Sequence, residues 1–348
     1  MKKKTTALLV GIASVCMASC SSTRTVSIET YSPAEVTFPA SVGTIVVVNN
    51  SATQPAVSGH LYKEFGTVKP DTVPADSAAW DACTALGVAL HEPEYFNEVL
   101  LFHDTIRRDG MYNRTAKLTP RQVEDICNLS GAQAVISLDG LSFNLRRETR
   151  NMPGGYVTGE IDVKVEGTVR AYLPGRANPL ATVYLNDSVY WGQEADNLVM
   201  LAMFLPTPEQ ALREAGKYVI AGAYTNFVPH WNGANRWFYT GSGSRWKEAT
   251  AFAVREKWKE AAGHWTRFFE QERTAGRRAK AAMNMALYYE LKGNLPEALV
   301  WGEKGLALFN EEGAGKNKKD RALARLYVDT LMERIREEKK LNIQFGNE

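Results

Sequence analysis

Ala279-Lys-Ala-Ala-Met-Asn-Met-Ala-Leu-Tyr-Tyr-Glu-Leu-Lys-Gly-Asn-Leu-Pro-Glu-Ala-Leu-Val-Trp-Gly-Glu-Lys-Gly-Leu-Ala-Leu308 reads as two helices joined by a tight turn. Small residues stand at Ala286, Ala298, Gly302 and Gly305, where two helices would have to approach closely, and Tyr289 supplies the bulky wedge between them. Gly293 can take the left-handed conformation that ends the first helix. Pro296 fits the first turn of the second, where its missing N–H costs nothing.

Working outward, Trp246 to Glu272 reads as an earlier pair of the same kind, with Ala249, Phe252, Ala261, Trp265 and Phe268 at the corresponding positions. Lys257 stands where the second pair has its turn glycine. Ala261 and Ala298 are 37 residues apart, and the segment Glu272 to Arg278 can hold the excess over a repeat of about 34. The pattern resembles the tetratricopeptide repeat, which implies a groove that carries a partner rather than chemistry. Asp320 to Lys340 reads as a capping helix, with Leu323, Leu326, Tyr327, Leu331 and Ile335 on one face and charges on the other.

Upstream the period changes from helical to alternating. From Val157 to Leu173 the odd positions are apolar and the even ones polar or charged, and the alternation resumes through Ala181, Val183, Leu185, Val189 and Trp191. This is a long antiparallel hairpin with one wet face, on which Lys164 and Arg170 pair with acids. Ile45-Val-Val-Val48 is a continuous apolar run suited to a strand buried on both faces. Glu98–Phe102 is a second short strand, and Gln133 to Arg147 a longer one with a bulge at Asp139-Gly140. Thr119-Pro-Arg-Gln122 and Thr207-Pro-Glu-Gln210 are capping boxes, each opening a helix. The second helix runs to about Asn226 with Ala211, Ala215, Tyr218, Val219 and Gly222 inward, and Ser77 to Leu90 is a further helix. Residues 52–76 read as a loop, and 21–40 as a tether entering an edge strand.

The chain begins with Met1-Lys-Lys-Lys, a short apolar core from Thr5 to Val15, and Met17-Ala-Ser-Cys20. This resembles the signal and lipobox of bacterial lipoproteins, which implies cleavage before Cys20 and acylation of that cysteine. Ser21 follows in place of a retaining aspartate, which points to the outer membrane, and no acid follows closely, which points to its periplasmic face. Removing Lys2, Lys3 and Lys4 takes the formal charge from +2 to −1, so no basic block speaks for nucleic acid. Cys83 and Cys127 could form one disulfide in an oxidising compartment, or each could be a buried thiol on an apolar helix face.

The fold class expected is α+β: an N-terminal mixed α/β sandwich domain followed by an all-α tetratricopeptide-like domain. The boundaries are a signal at 1–19, a tether at 20–41, the α/β domain at 42–227, an aromatic junction at 228–244 and the helical domain at 245–340. Ile45–Val48, the segment Leu118 to Leu138 and the hairpin after it resemble the N-terminal domain of the Tol-system propeller protein, curli-secretion lipoproteins and lipoprotein activators of cell-wall synthases. Ser32-Pro-Ala-Glu-Val-Thr-Phe-Pro39, Pro229-His-Trp231 with Arg236, and Ala281-Ala-Met-Asn-Met-Ala286 resemble a family of uncharacterised lipoproteins of Gram-negative gut anaerobes. That resemblance implies no activity.

The five histidines are scattered, and no Cys/His cluster, phosphate-cradling loop or hydrolase motif is present. No catalytic residue, metal or cofactor is expected. The leading expectation is an outer-membrane lipoprotein that docks an envelope protein through its helices, with Arg277, Arg278 and Lys280 at the rim. The alternative is a glycan-binding lipoprotein of a polysaccharide uptake system, and an envelope enzyme comes third. Six of the eight tryptophans lie between 231 and 301; Trp258 and Trp265, seven apart on one helical face, read as packing. Asp71-Thr-Val and Asp76-Ser-Ala flank an exposed loop, which makes Thr72 and Ser77 candidates for O-glycosylation, while Asp76 or Ser77 could equally cap the helix.

Overall fold

The computed structural model describes residues 23–104, 106–107, 109–311 and 318–347. The strands are β1 (Thr23–Ser32), β2 (Thr44–Asn49), β3 (Leu61–Glu64), β4 (Thr67–Pro70), β5 (Glu98–Phe102), β6 (Ala134–Asn151), β7 (Val157–Tyr172), β8 (Ala181–Ala195) and β9 (His230–Tyr239). The helices are α1 (Ala78–His91), α2 (Pro120–Ser130), α3 (Leu198–Phe204), α4 (Pro208–Ala221), α5 (Ser244–Val254), α6 (Trp258–Gln271), α7 (Ala275–Leu291), α8 (Leu295–Glu311) and α9 (Lys318–Gln344). The fold is α+β, a mixed-sheet domain followed by a run of helices. Two compact units result among the described residues: 31–232 with 337–347, and 233–336 with 23–30.

The first unit is built on β6. Its first half pairs with β2 in parallel, its second half with β3 in parallel, and its whole other edge with β7. β5 extends the sheet beyond β2, β4 beyond β3, and β8 beyond β7. The apolar run of β2 is buried on both faces. Ile45 and Val47 pack with Leu86 and Leu90 of α1, while Val46 and Val48 pack with Val123 and Ile126 of α2. Burying each such side chain stabilises the fold by about 1.5–3 kcal/mol. Both capping boxes form, Thr119 with Gln122 and Thr207 with Gln210, and Gly131 closes α2 at φ 75°.

Cys83 lies in the α1-side core and Cys127 in the α2-side core, so the sheet separates them and both are free thiols. Burial pushes the Cys83 thiol up to about 12.

Several expectations need correction. The loop 52–76 contains the β3–β4 hairpin, held because Arg147 grips Asp71 and lies 3.9 Å over the Tyr62 ring. β6 continues to Asn151, since β7 pairs with it throughout. Tyr218 and Gly222 face solvent, and Leu212 and Ile220 take the inner face of α4. β1 does not border the large sheet but pairs with β9 in a separate two-stranded one. The junction 228–244 is largely strand. Leu326 is exposed, its place taken by Ala324 and Val328. The apolar helix α3 has no counterpart in the sequence reading.

Arg170 is the correction with the largest energetic weight. It is buried on the sheet, with Nη1 donating to Asp139 Oδ2 at 2.6 Å. Asp139 is wholly buried and also accepts from Asn50, Ser137 and Tyr172. The wet face of β7 ends at Glu166. Beyond it the chain leading into α2 covers the strand, with Thr115 near Arg170 and the Leu118 N–H donating to Tyr172. Breaking one side of a buried pair leaves an uncompensated charge. Asp139→Leu is therefore expected to cost about 3–5 kcal/mol in urea unfolding. Lys164→Met, which removes an exposed ion pair with Glu166, should change stability by less than about 1 kcal/mol. Equal costs would refute the assignment of Arg170 to the interior.

Candidate functional site

The helical unit is organised by two hairpins and a clamp on β9. Ala298 is fully buried, and a Cβ on Gly302 would stand 3.9 Å from that of Ala286. Gly293 takes φ 72° and ends the α7 segment, and Asn294 Oδ1 caps α8 by accepting from Glu297 N–H at 3.1 Å. Ala249, Ala261, Trp265 and Ala286 are buried in the core of this unit, with Phe252 and Tyr289 packed at its edge.

β9 lies against α7 through two buried polar side chains. The Asn284 amide accepts from the Tyr239 N–H at 2.6 Å and donates to the Tyr239 carbonyl at 2.8 Å, taking the place of a neighbouring strand. The Glu290 carboxylate accepts from Arg236, Arg334 and the Tyr327 hydroxyl. Burial alone would raise its pKa, but those donors outweigh it and hold the carboxyl below the usual range.

The clamp sets the path of the chain as it leaves β9. Residues 240–246 form the near wall of a cleft of about 570 Å³, whose far wall is Phe268, Gln271, Glu272, Arg277 and Lys280. The Trp246 and Phe268 rings stack at 4.6 Å and an interplanar angle of 7°. Gly241 is required there, because a Cβ would sit 2.7 Å from Cγ of Trp246. A second depression of about 350 Å³ shares Arg245, Phe268 and Gln271 and adds Glu248, His264 and Arg267. Together the two depressions are lined by four cationic side chains and two carboxylates, with Asp320 also beside Lys280.

Of the expected rim residues, Arg277 and Lys280 line the groove and Arg278 does not. Arg277 stands 3.6 Å from Glu272, and Lys280 3.2 Å from Asp320. Arg278 donates to the Phe269 carbonyl and lies over its ring. Arg245 and Arg267 are not among the expected rim residues; Arg245 follows the Gly241-Ser-Gly-Ser turn, and Arg267 comes to it from α6. Thr72 is exposed, with its neighbour Asp71 held by Arg147. Ser77 stands at the start of α1 but makes no side-chain cap. Cys20 lies outside the described residues. Among the described residues, no group of His, Cys, Asp and Glu could hold a metal ion, and no helix is long and apolar enough to cross a membrane.

Residues 42–239 match the family model described as domain of unknown function DUF8603, more than half of the chain, and the chain belongs to that family. Residues 247–333 match a second, domain of unknown function DUF6340. No curated protein matches. Among solved structures, a neuraminyllactose-binding hemagglutinin homologue from Helicobacter pylori aligns at 10% identity and TM-score 0.25, covering 53% of this chain and 81% of that one. Protein XCC0632 of Xanthomonas campestris, of family DUF330, aligns at 9% identity and TM-score 0.23, covering 56% and 94%. At such TM-scores these likenesses inform neither fold nor function.

The clamp has a pH signature. A carboxylate whose folded pKa lies below its unfolded value contributes stability above the unfolded value and loses it as pH falls through the folded one. Glu290→Gln is expected to cost about 3–5 kcal/mol at neutral pH, with the deficit shrinking below about pH 4. A deficit in melting temperature that stays constant down to acid pH would contradict the ionised clamp.

Proposed function

We propose that the protein is an outer-membrane lipoprotein, anchored through acylated Cys20 at the periplasmic face, whose helical unit holds an acidic, extended segment of another envelope protein. The groove supports this reading: Arg245, Arg267, Arg277 and Lys280 outnumber Glu248 and Glu272 along it. Its two depressions adjoin at Arg245, Phe268 and Gln271, which suits a chain segment better than a small molecule. Opposite charge along such a groove would steer encounter and fix orientation more than it would add affinity.

A glycan is the second reading, favoured by one surface of the sheet unit. Trp231 is 66% exposed, with the Tyr31 ring 5.0 Å away and Phe345 beyond it. Retardation on polysaccharide affinity gels, abolished by Trp231→Ala, would favour that reading over the first.

A photo-crosslinking residue at Ser242, set in the groove, should capture a discrete envelope protein in intact cells, and one at exposed Leu129 should not. Arg245→Glu with Arg277→Glu should lower the yield at Ser242 at least about tenfold. Identical adducts from both positions, or a yield indifferent to charge reversal, would contradict the groove. The intact mass of protein from its native host decides anchoring: diacyl or triacyl Cys20 is expected as the first residue, and a different, unlipidated start refutes it. Mass beyond the acylated polypeptide would report sugar, with Thr72 and Ser77 as the sites to map.

A further inference from the structure

Apolar side chains on the surface are ordinarily scattered singly. In the sheet unit others, such as Leu129, Tyr184 and Tyr218, stand apart, but one group is gathered at one end of the sheet. Asn197–Pro208 carries no charge between Asp196 and Glu209. Within it α3 turns only Leu201 inward, against Val157 and Ala195. Leu198, Val199, Met200, Met203 and Phe204 face solvent, with Val199 73%, Met203 77% and Phe204 56% exposed.

The strand register brings more apolar surface to the same end. Ala195, just before α3, pairs with Val157, which pairs with Asn151 at the end of β6. Two residues back on β6, the Thr149 carbonyl accepts from the N–H of Phe65. Phe65 and Gly66 form the β3–β4 turn with φ 46° and 90°. Asn or Asp is the usual first residue of such a turn, so a phenylalanine here places a bulky ring at an exposed tip against the backbone preference. That ring is 46% exposed.

We propose that this end of the sheet, α3 with the Phe65-Gly66 turn, is a membrane-contacting surface that enters the interfacial layer of a zwitterionic bilayer. Two observations choose a bilayer over a protein groove. Apolar residues surround α3 on every solvent-facing side, instead of forming the single stripe that a helix-binding groove reads. And acylation of Cys20 would keep the chain at a lipid surface, whichever unit meets it. This choice rests on the lipoprotein reading. Exposed Glu194, Asp196 and Glu209 flank the patch, so anionic headgroups would repel it and neutral ones would not.

The test uses residues 21–348 prepared without acylation, so that anchoring plays no part. The chain should float with phosphatidylcholine–phosphatidylethanolamine vesicles, unaffected by high salt. Val199→Asp, Met203→Asp and Phe204→Asp combined should reduce vesicle partition at least tenfold, and Leu129→Asp with Tyr218→Asp should not. Phe65→Ser with Phe204→Ser is the gentler pair, expected to show a smaller loss at an unchanged melting temperature. No flotation of the parent chain would overturn the proposal. So would flotation that needs anionic lipid and vanishes in salt, or a concentration-dependent dimer abolished by the aspartates. The N-terminal mass reads acylation separately, so either idea can fail alone.

Discussion

β9 has a strand neighbour, β1, on one edge only, and a buried peptide group left without a partner costs about 1–3 kcal/mol. At Tyr239 the Asn284 side chain removes that cost by accepting the N–H and donating to the carbonyl. Three residues earlier, Arg236 is fixed by Glu290, which α9 secures through Tyr327 and Arg334. β9, α7 and α9 are therefore tied at two points. The next turn, Gly241-Ser-Gly-Ser, leaves Tyr239 in a set direction and packs over Trp246. The basic groove exists because its near wall is held in this way.

The sheet unit solves a comparable problem at Asp139. The register shift between Leu138 and Gly140 sits where the β6 edge changes from β2 towards β3. The carboxylate there collects four donors from three segments: Asn50 after β2, Ser137 on β6, and Arg170 and Tyr172 on β7. Satisfaction of one carboxylate by four donors turns a buried charge from a penalty into a point of registration, although the Nε of Arg170 is left buried without a partner among the described residues. It also explains why the segment before α2, without regular structure over Thr115 to Leu118, keeps to one path over the sheet.

The sequence made legible whatever depends on local period or on a cap. The double burial of Ile45–Val48, the β7–β8 hairpin, both Thr-Pro-x-Gln boxes, the bulge at Asp139 and the Gly293 turn are all properties of a few consecutive residues. Features that depend on distant segments were not legible. Arg170 alternates in step with Lys164 and Glu166, and only the chain some fifty residues earlier, at Thr115, makes its position dry. β1 gives no sign that its partner is β9. Leu198–Phe204 is too short to show a helical period and too apolar to look exposed. Of the groove, Arg277 and Lys280 could be proposed from their place near a repeat, whereas Arg245 and Arg267 needed α5 and α6 to be laid side by side.

The grip of Asn284 on Tyr239 is the most direct thing to measure, because it concerns one proton. Amide hydrogen exchange in residues 21–348 should show Tyr239 protected to the same degree as the cores of α7 and α8. In Asn284→Ala, exchange at Tyr239 should accelerate at least about tenfold, the equivalent of one net hydrogen bond, while amides of β6 in the sheet unit keep their rates. An unchanged rate at Tyr239 would mean that something other than Asn284 holds β9, and the account of how the groove is built would be wrong.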